Sequence, residues 1–196
     1  TPYSNDELKK LRIALPVEFT QAKGLDKDVA AVFEEFRNRF TAMGIQVDTV
    51  AVPVLEAAIA AYYVIALSEA SSNLARFDGI RYGLREDPGK GYDVLYCMTR
   101  STGFGREVKR RIITGNYVLS HHLSGDCYEN ALRVRTRMEK EIGSLLQHYD
   151  FIFCPTAPTP AFKLGERVDD PLAMYLSDLF TTFVNLAHIP ALSIPA

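Results

Sequence analysis

The sequence predicts an α/β chain rich in helix, on three observations. An apolar run at residues 11–15, a helical repeat at 26–43 and an alternating run at 45–52 follow in the order strand, helix, strand. Helical periodicity then fills most of residues 55–149. Short apolar runs at 151–154 and 191–194 return to strand character near the end.

The first three elements justify themselves locally. Residues 11–15 (LRIAL) form a short buried strand. Asp26 caps the helix that follows, whose apolar positions Val29, Val32, Phe33, Phe36 and Phe40 repeat at helical spacing. Gly44 ends it, and Pro53 stops the alternating strand. A connection of this length between strands makes them parallel. Residues 55–77 are helical and apolar nearly all round, which predicts a buried helix. Gly, Asp and Pro make 78–92 a loop. Helices are expected at about 93–100 and 105–121. A long amphipathic helix opens at Ser124 or Asp126 and runs to about Tyr149. Pro155, Pro158 and Pro160 impose an irregular loop after the 151–154 strand. Asp170 as N-cap and Pro171 at the first helical position start a last helix, expected to reach Ala187. No linker divides the chain.

Composition is that of a globular protein: 196 residues, 47% hydrophobic and 23% charged, with a net charge of −2. That balance argues against a strongly basic nucleic-acid surface. Cys97, Cys127 and Cys154 are far apart, without a CxxC pair, so reduced thiols and a cytoplasmic location are expected. Residues 1–10 carry both charge signs, unlike a secretory leader. The apolar run at 57–67 is too short to span a bilayer, so no membrane association is expected. The chain opens without Met and stops just after an apolar run, so both ends are expected to be cut points in a longer protein.

Two helices place polar groups oddly. On a wheel of about 100° per residue, Phe104, Val108, Ile112, Gly115, Val118 and Leu119 form one stripe, with Arg111 at its middle. A buried guanidinium needs an anion. Its planar fork suits a carboxylate, whether of a ligand or of an internal Asp or Glu. The helix from Pro171 has one charged residue, Asp178, grouped with Thr181, Thr182 and Asn185 opposite an apolar face of Leu172, Tyr175, Leu176, Leu179, Phe183 and Leu186. Such a face either lines a polar cavity or is an ordinary satisfied surface. Together an Arg and an isolated Asp suit a zwitterion, the Arg taking an α-carboxylate and the Asp an α-ammonium. His121 and His122 are adjacent and lack the spacing of a metal pair, and His188 has a structural place at a helix end. No GxSxG, HExxH, GxGxxG or Walker motif is present, and no metal site is expected.

Residues 69–83 (EASSNLARFDGIRYG), 103–112 (GFGREVKRRI), 161–165 (AFKLG), 170–175 (DPLAMY) and 185–195 (NLAHIPALSIP) together resemble the A subunits of glutamyl-tRNA(Gln) amidotransferases, within the amidase-signature family. The resemblance runs through essentially the whole chain and corresponds to the C-terminal half of such a protein. It implies a partial amidase-signature fold, a mixed sheet flanked by helices, with residues 1–196 as part of one domain. It also implies glutamine hydrolysis by a Lys and two Ser of the N-terminal half, with the ammonia passed to the amidotransferase's B subunit. None of those catalysts is expected here, and Ser71 and Ser72 do not replace them, because they lie in an apolar helix without Gly-rich surroundings. What this chain would contribute is the grip on glutamine: Arg111 for the carboxylate, Asp178 for the ammonium and Tyr62 in the pocket. The implied partners are the B and C subunits, with glutamyl-tRNA(Gln) held mainly by the former. No cofactor is implied for the glutamine-hydrolysing protein itself; ATP and Mg serve its partner. His188 departs from the family's usual Gly, and the segment after Ser120 lacks its aromatic pairs. Two other readings are another amidase-signature hydrolase, and a non-catalytic amino-acid-binding or docking module. The chain alone is expected to be catalytically silent and to self-associate through faces the missing half would cover.

Overall fold

The computed structural model describes residues 4–120, 125–166 and 171–195. The elements are α1 (Asn5–Leu8), β1 (Arg12–Pro16), α2 (Val17–Thr20), α3 (Lys27–Ala42), β2 (Gln46–Val50), a 3-10 turn (Pro53–Ala57), α4 (Ala58–Leu74), α5 (Tyr92–Gly103), α6 (Arg106–Leu119), α7 (Cys127–Leu145), β3 (Phe151–Ile152), α8 (Pro171–Leu176) and α9 (Thr182–Ala187). The chain forms two compact units, Thr1–Tyr62 with Arg133–Ala196, and Tyr63–Leu132. Both passages between them fall inside helices, α4 and α7, rather than in a linker.

The first unit is built on a parallel sheet ordered β2-β1-β3. Central β1 is the most apolar strand, and Ile13, Ala14 and Leu15 are buried, as expected for a strand covered on both faces. Register is pinned where the strands begin. Arg12 N–H donates to the Asp150 carboxylate at 2.8 Å, Asp150 N–H returns to Arg12 O at 2.9 Å, and the Arg12 guanidinium reaches Asp48 at 3.2 Å. Gln46 also donates to Asp48, at 2.8 Å, and this hydrogen bond leads in holding that carboxyl below its usual range.

Asp26 caps α3 as predicted, accepting from Asp28 N–H at 2.8 Å. Phe33 stacks on Phe153 with ring centroids 4.3 Å apart, and Phe40 meets Phe153 edge-on at 5.2 Å, which seats α3 beside the sheet. Val32, placed by periodicity on the inner face, is exposed. Phe19 packs against Phe180 and Phe183 at 5.4 and 5.2 Å. Met138 and Ile142 of α7 are wholly buried.

Two predicted elements differ. Residues 189–195 form no strand among the described residues, and Leu192 and Ile194 are exposed; an apolar run becomes a strand only where a neighbour takes its backbone hydrogen bonds. The helix expected from 171 to 187 is broken into α8 and α9. Ser177 Oγ donates to Ala173 O at 3.1 Å, while Ser177 N–H donates to Met174 O. Asp178, Leu179 and Thr181 N–H likewise bond three residues back. The hydroxyl thus competes for the i−4 carbonyl, and the backbone tightens into turns. The Asp170 cap and His121–His122 lie outside the described residues.

In the second unit Arg100 closes the end of α4, donating to Leu74 O at 2.8 Å and Phe77 O at 3.2 Å, with its guanidinium over the rings of Tyr96 and Phe104. Buried Asp78 orders the following loop by accepting from Ile80 N–H at 2.9 Å, Arg81 N–H at 3.2 Å and Arg81 Nε at 3.1 Å. The backbone bond from Ile80 is the main cause of its lowered pKa. By length and composition alone the stretch Pro53–Leu74 could cross a membrane, which the shorter run at 57–67 did not foretell. Within the fold its inward residues are packed against protein, including Ser68, whose Oγ donates to Val64 O at 2.7 Å.

Candidate functional site

Arg111 stands in the second turn of α6, in the second unit. Its side chain is 46% exposed, not buried as the wheel predicts. Nε donates to Glu107 Oε1 at 2.9 Å, and Arg110 takes the other oxygen of Glu107 at 2.6 Å. An i,i+4 pair this exposed contributes about 0.3–0.5 kcal/mol. The wheel was right about direction at Gly115 and Val118, which are buried one and two turns on. It erred at Arg111 because a long side chain carries its charged head away from its Cα.

Periodicity gave no role to Glu107. The signal was nonetheless present: Glu four residues before Arg on a helix is the favoured ion-pair spacing. A shallow open depression of about 410 Å³ also lies on α6, lined by Arg106, Lys109, Arg110, Ile113 and Thr114. Arg111 is not in its lining. Lys109 there is already turned onto Ser101 O at 2.6 Å.

Asp178 belongs to the first unit and sits in the turns between α8 and α9, exposed. It is therefore not on a helix face with Thr181, Thr182 and Asn185. Thr182, expected on that polar side, is 1% exposed, while Leu172 and Leu176 of the expected inner face are exposed. The break turns Phe180, Thr182 and Phe183 inward and leaves Asp178 at the surface. Tyr62, in the first turns of α4, is half-buried and lies in the same unit as Asp178.

His188 ends α9 with φ 55° and ψ 38°, the left-handed conformation. Its N–H and that of Ile189 both return to Val184 O. This is the closing geometry in which Gly is usual, which gives the His a structural place at the helix end.

The family model described as Amidase matches residues 1–196. The chain belongs to the amidase family. Within that family it is 62% identical over 194 residues to the A subunit of the glutamyl-tRNA(Gln) amidotransferase of Treponema denticola, covering 99% of this chain and 40% of that protein. It is 47% identical over 195 residues to the corresponding protein of Thermodesulfovibrio yellowstonii, covering 100% of this chain and 40% of that one. The crystal structure of the Thermotoga maritima counterpart, likewise a glutamyl-tRNA(Gln) amidotransferase A subunit, superposes with a TM-score of 0.64 at 33% identity, covering 92% of this chain and 34% of that chain. The chain thus spans about two-fifths of the length of the curated relatives it matches. The helix-rich amidase α/β fold agrees with the sequence expectation, and the described residues contribute a parallel portion of its sheet.

Proposed function

We propose that the protein carrying this chain is the glutamine-hydrolysing A subunit of a glutamyl-tRNA(Gln) amidotransferase. The 62% identity that runs through 99% of the chain carries this reading. In it Arg111 takes the α-carboxylate of glutamine by charge-assisted hydrogen bonds. Asp178, exposed in its turn, takes the α-ammonium, and Tyr62 supports the pocket. The chemistry itself, attack by an activated Ser on the side-chain amide, belongs to residues outside this chain. The ammonia goes to the B subunit, which holds glutamyl-tRNA(Gln) and uses ATP and Mg; the C subunit completes the complex. The reading places the protein in the cytoplasm.

The test is steady-state glutamine hydrolysis by the full-length protein in its complex. Arg111→Met and Asp178→Asn should each raise KM for glutamine about 10–100-fold, the loss of one charged hydrogen-bonding group. Unchanged KM in both would sink the site assignment. Ammonia release from these 196 residues alone would overturn the assignment of catalysis to the rest of the protein.

A further inference from the structure

We propose that Gly115 is a positioning residue for Arg111: a backbone-to-backbone crossing of α6 on α4 fixes where the stretch of helix that carries Arg111 stands. The proposal rests on the reading of Arg111 as the carboxylate grip. Gly115 is buried, four residues after Arg111, and so lies about 40° from it around the helix. A Cβ at position 115 would stand 2.0 Å from Leu67 O, 2.7 Å from the Leu67 carbonyl carbon and 2.7 Å from Ser71 Cβ. Two of those three atoms are backbone and cannot turn aside. Glycine weakens a helix interior, so one held in the middle of α6 needs a packing reason, and this contact supplies it.

A second contact ties the same place. Ser71, 4% exposed, donates from Oγ to Asn116 Oδ1 at 3.1 Å. The crossing is therefore both close and directional, one turn beyond Arg111. Adding a single methyl group must part the two helices by roughly 1 Å, enough to stretch the charged hydrogen bonds from Arg111 to a ligand carboxylate, which are together worth about 10–100-fold in affinity.

The experiment is glutamine hydrolysis by the full-length complex carrying Gly115→Ala, beside Arg111→Met. Gly115→Ala is expected to raise KM for glutamine by about 10–100-fold, the worth of the Arg111 charged hydrogen bonds it displaces. A purely structural defect would lower the active fraction, and so kcat, at unchanged KM. KM within about twofold of the parent, whatever kcat does, overturns the proposal. Should Gly115→Ala give no soluble complex, Ser71→Ala decides, since it removes the tie to Asn116 without adding an atom. Its expected effect is a rise in KM of about three- to fivefold, one hydrogen bond's worth, and an unchanged KM overturns the proposal there too. If Arg111→Met also leaves KM unchanged, the carboxylate-grip reading has failed. If Arg111→Met raises KM and Gly115→Ala does not, only the positioning role has failed.

Discussion

Replacing His188 by glycine should stabilise the protein. Among the described residues His188 is the only non-glycine with positive φ, at 55°. The position is held by its role: two N–H groups, its own and that of Ile189, close the end of α9 on Val184 O. An L-residue in this conformation costs about 1–2 kcal/mol because its Cβ crowds the carbonyl, a cost glycine does not carry. Glycine gives back about 0.4–1 kcal/mol through the greater freedom of its unfolded chain. The net gain is therefore about 1 kcal/mol. Urea denaturation of the full-length protein measures it as a higher midpoint at unchanged slope. His188→Ala is the control. The side chain is exposed, and alanine keeps the crowded Cβ, so stability should stay within about 0.5 kcal/mol of the parent. A loss of stability in His188→Gly would refute the strain argument. So would an equal gain in both variants, since that would place the cost in the imidazole rather than the backbone.

Two further predictions rest on burial. Burial pushes the Cys154 thiol up to about 12, whereas Cys97 is exposed. Iodoacetamide at about pH 8, just below the ordinary thiol range, read by peptide mass spectrometry, should modify exposed Cys97 well ahead of half-buried Cys154; equal rates would contradict the protection of Cys154. The same raised pKa means the unfolded thiol ionises near 9 while the folded one stays protonated to about 12, so this group lowers stability as pH rises through that window. Phe180→Ala removes a wholly buried ring in edge contact with Phe19. It should cost about 3–5 kcal/mol in denaturant unfolding, and a loss under about 1 kcal/mol would mean that the site collapses around the missing ring.

Local patterning was enough for the order and kind of most elements and for the parallel pairing of β1 with β2, while the family came from the resemblance of whole motifs. Such patterning acts over a few residues: the Asp26 cap, the stop at Pro53 and the apolar centre of β1 are legible without a neighbour. Where the polar groups end up was not legible from periodicity. Arg111 lies on the inward stripe by angle yet sends its head to Glu107, because a long side chain is steered by its partner. Asp178 leaves the helix face on which periodicity puts it, because Ser177 back-bonds to Ala173 and Phe180 turns inward onto Phe19. The run at 191–194 has strand composition but no strand beside it among the described residues. The role of Gly115 was equally hidden. A glycine on an apolar stripe reads as a weak spot in a helix until the carbonyl of Leu67 is found where its Cβ would be. Periodicity reports which way a Cα faces; what lies opposite it is set by residues distant in the chain, and only their packing reveals them.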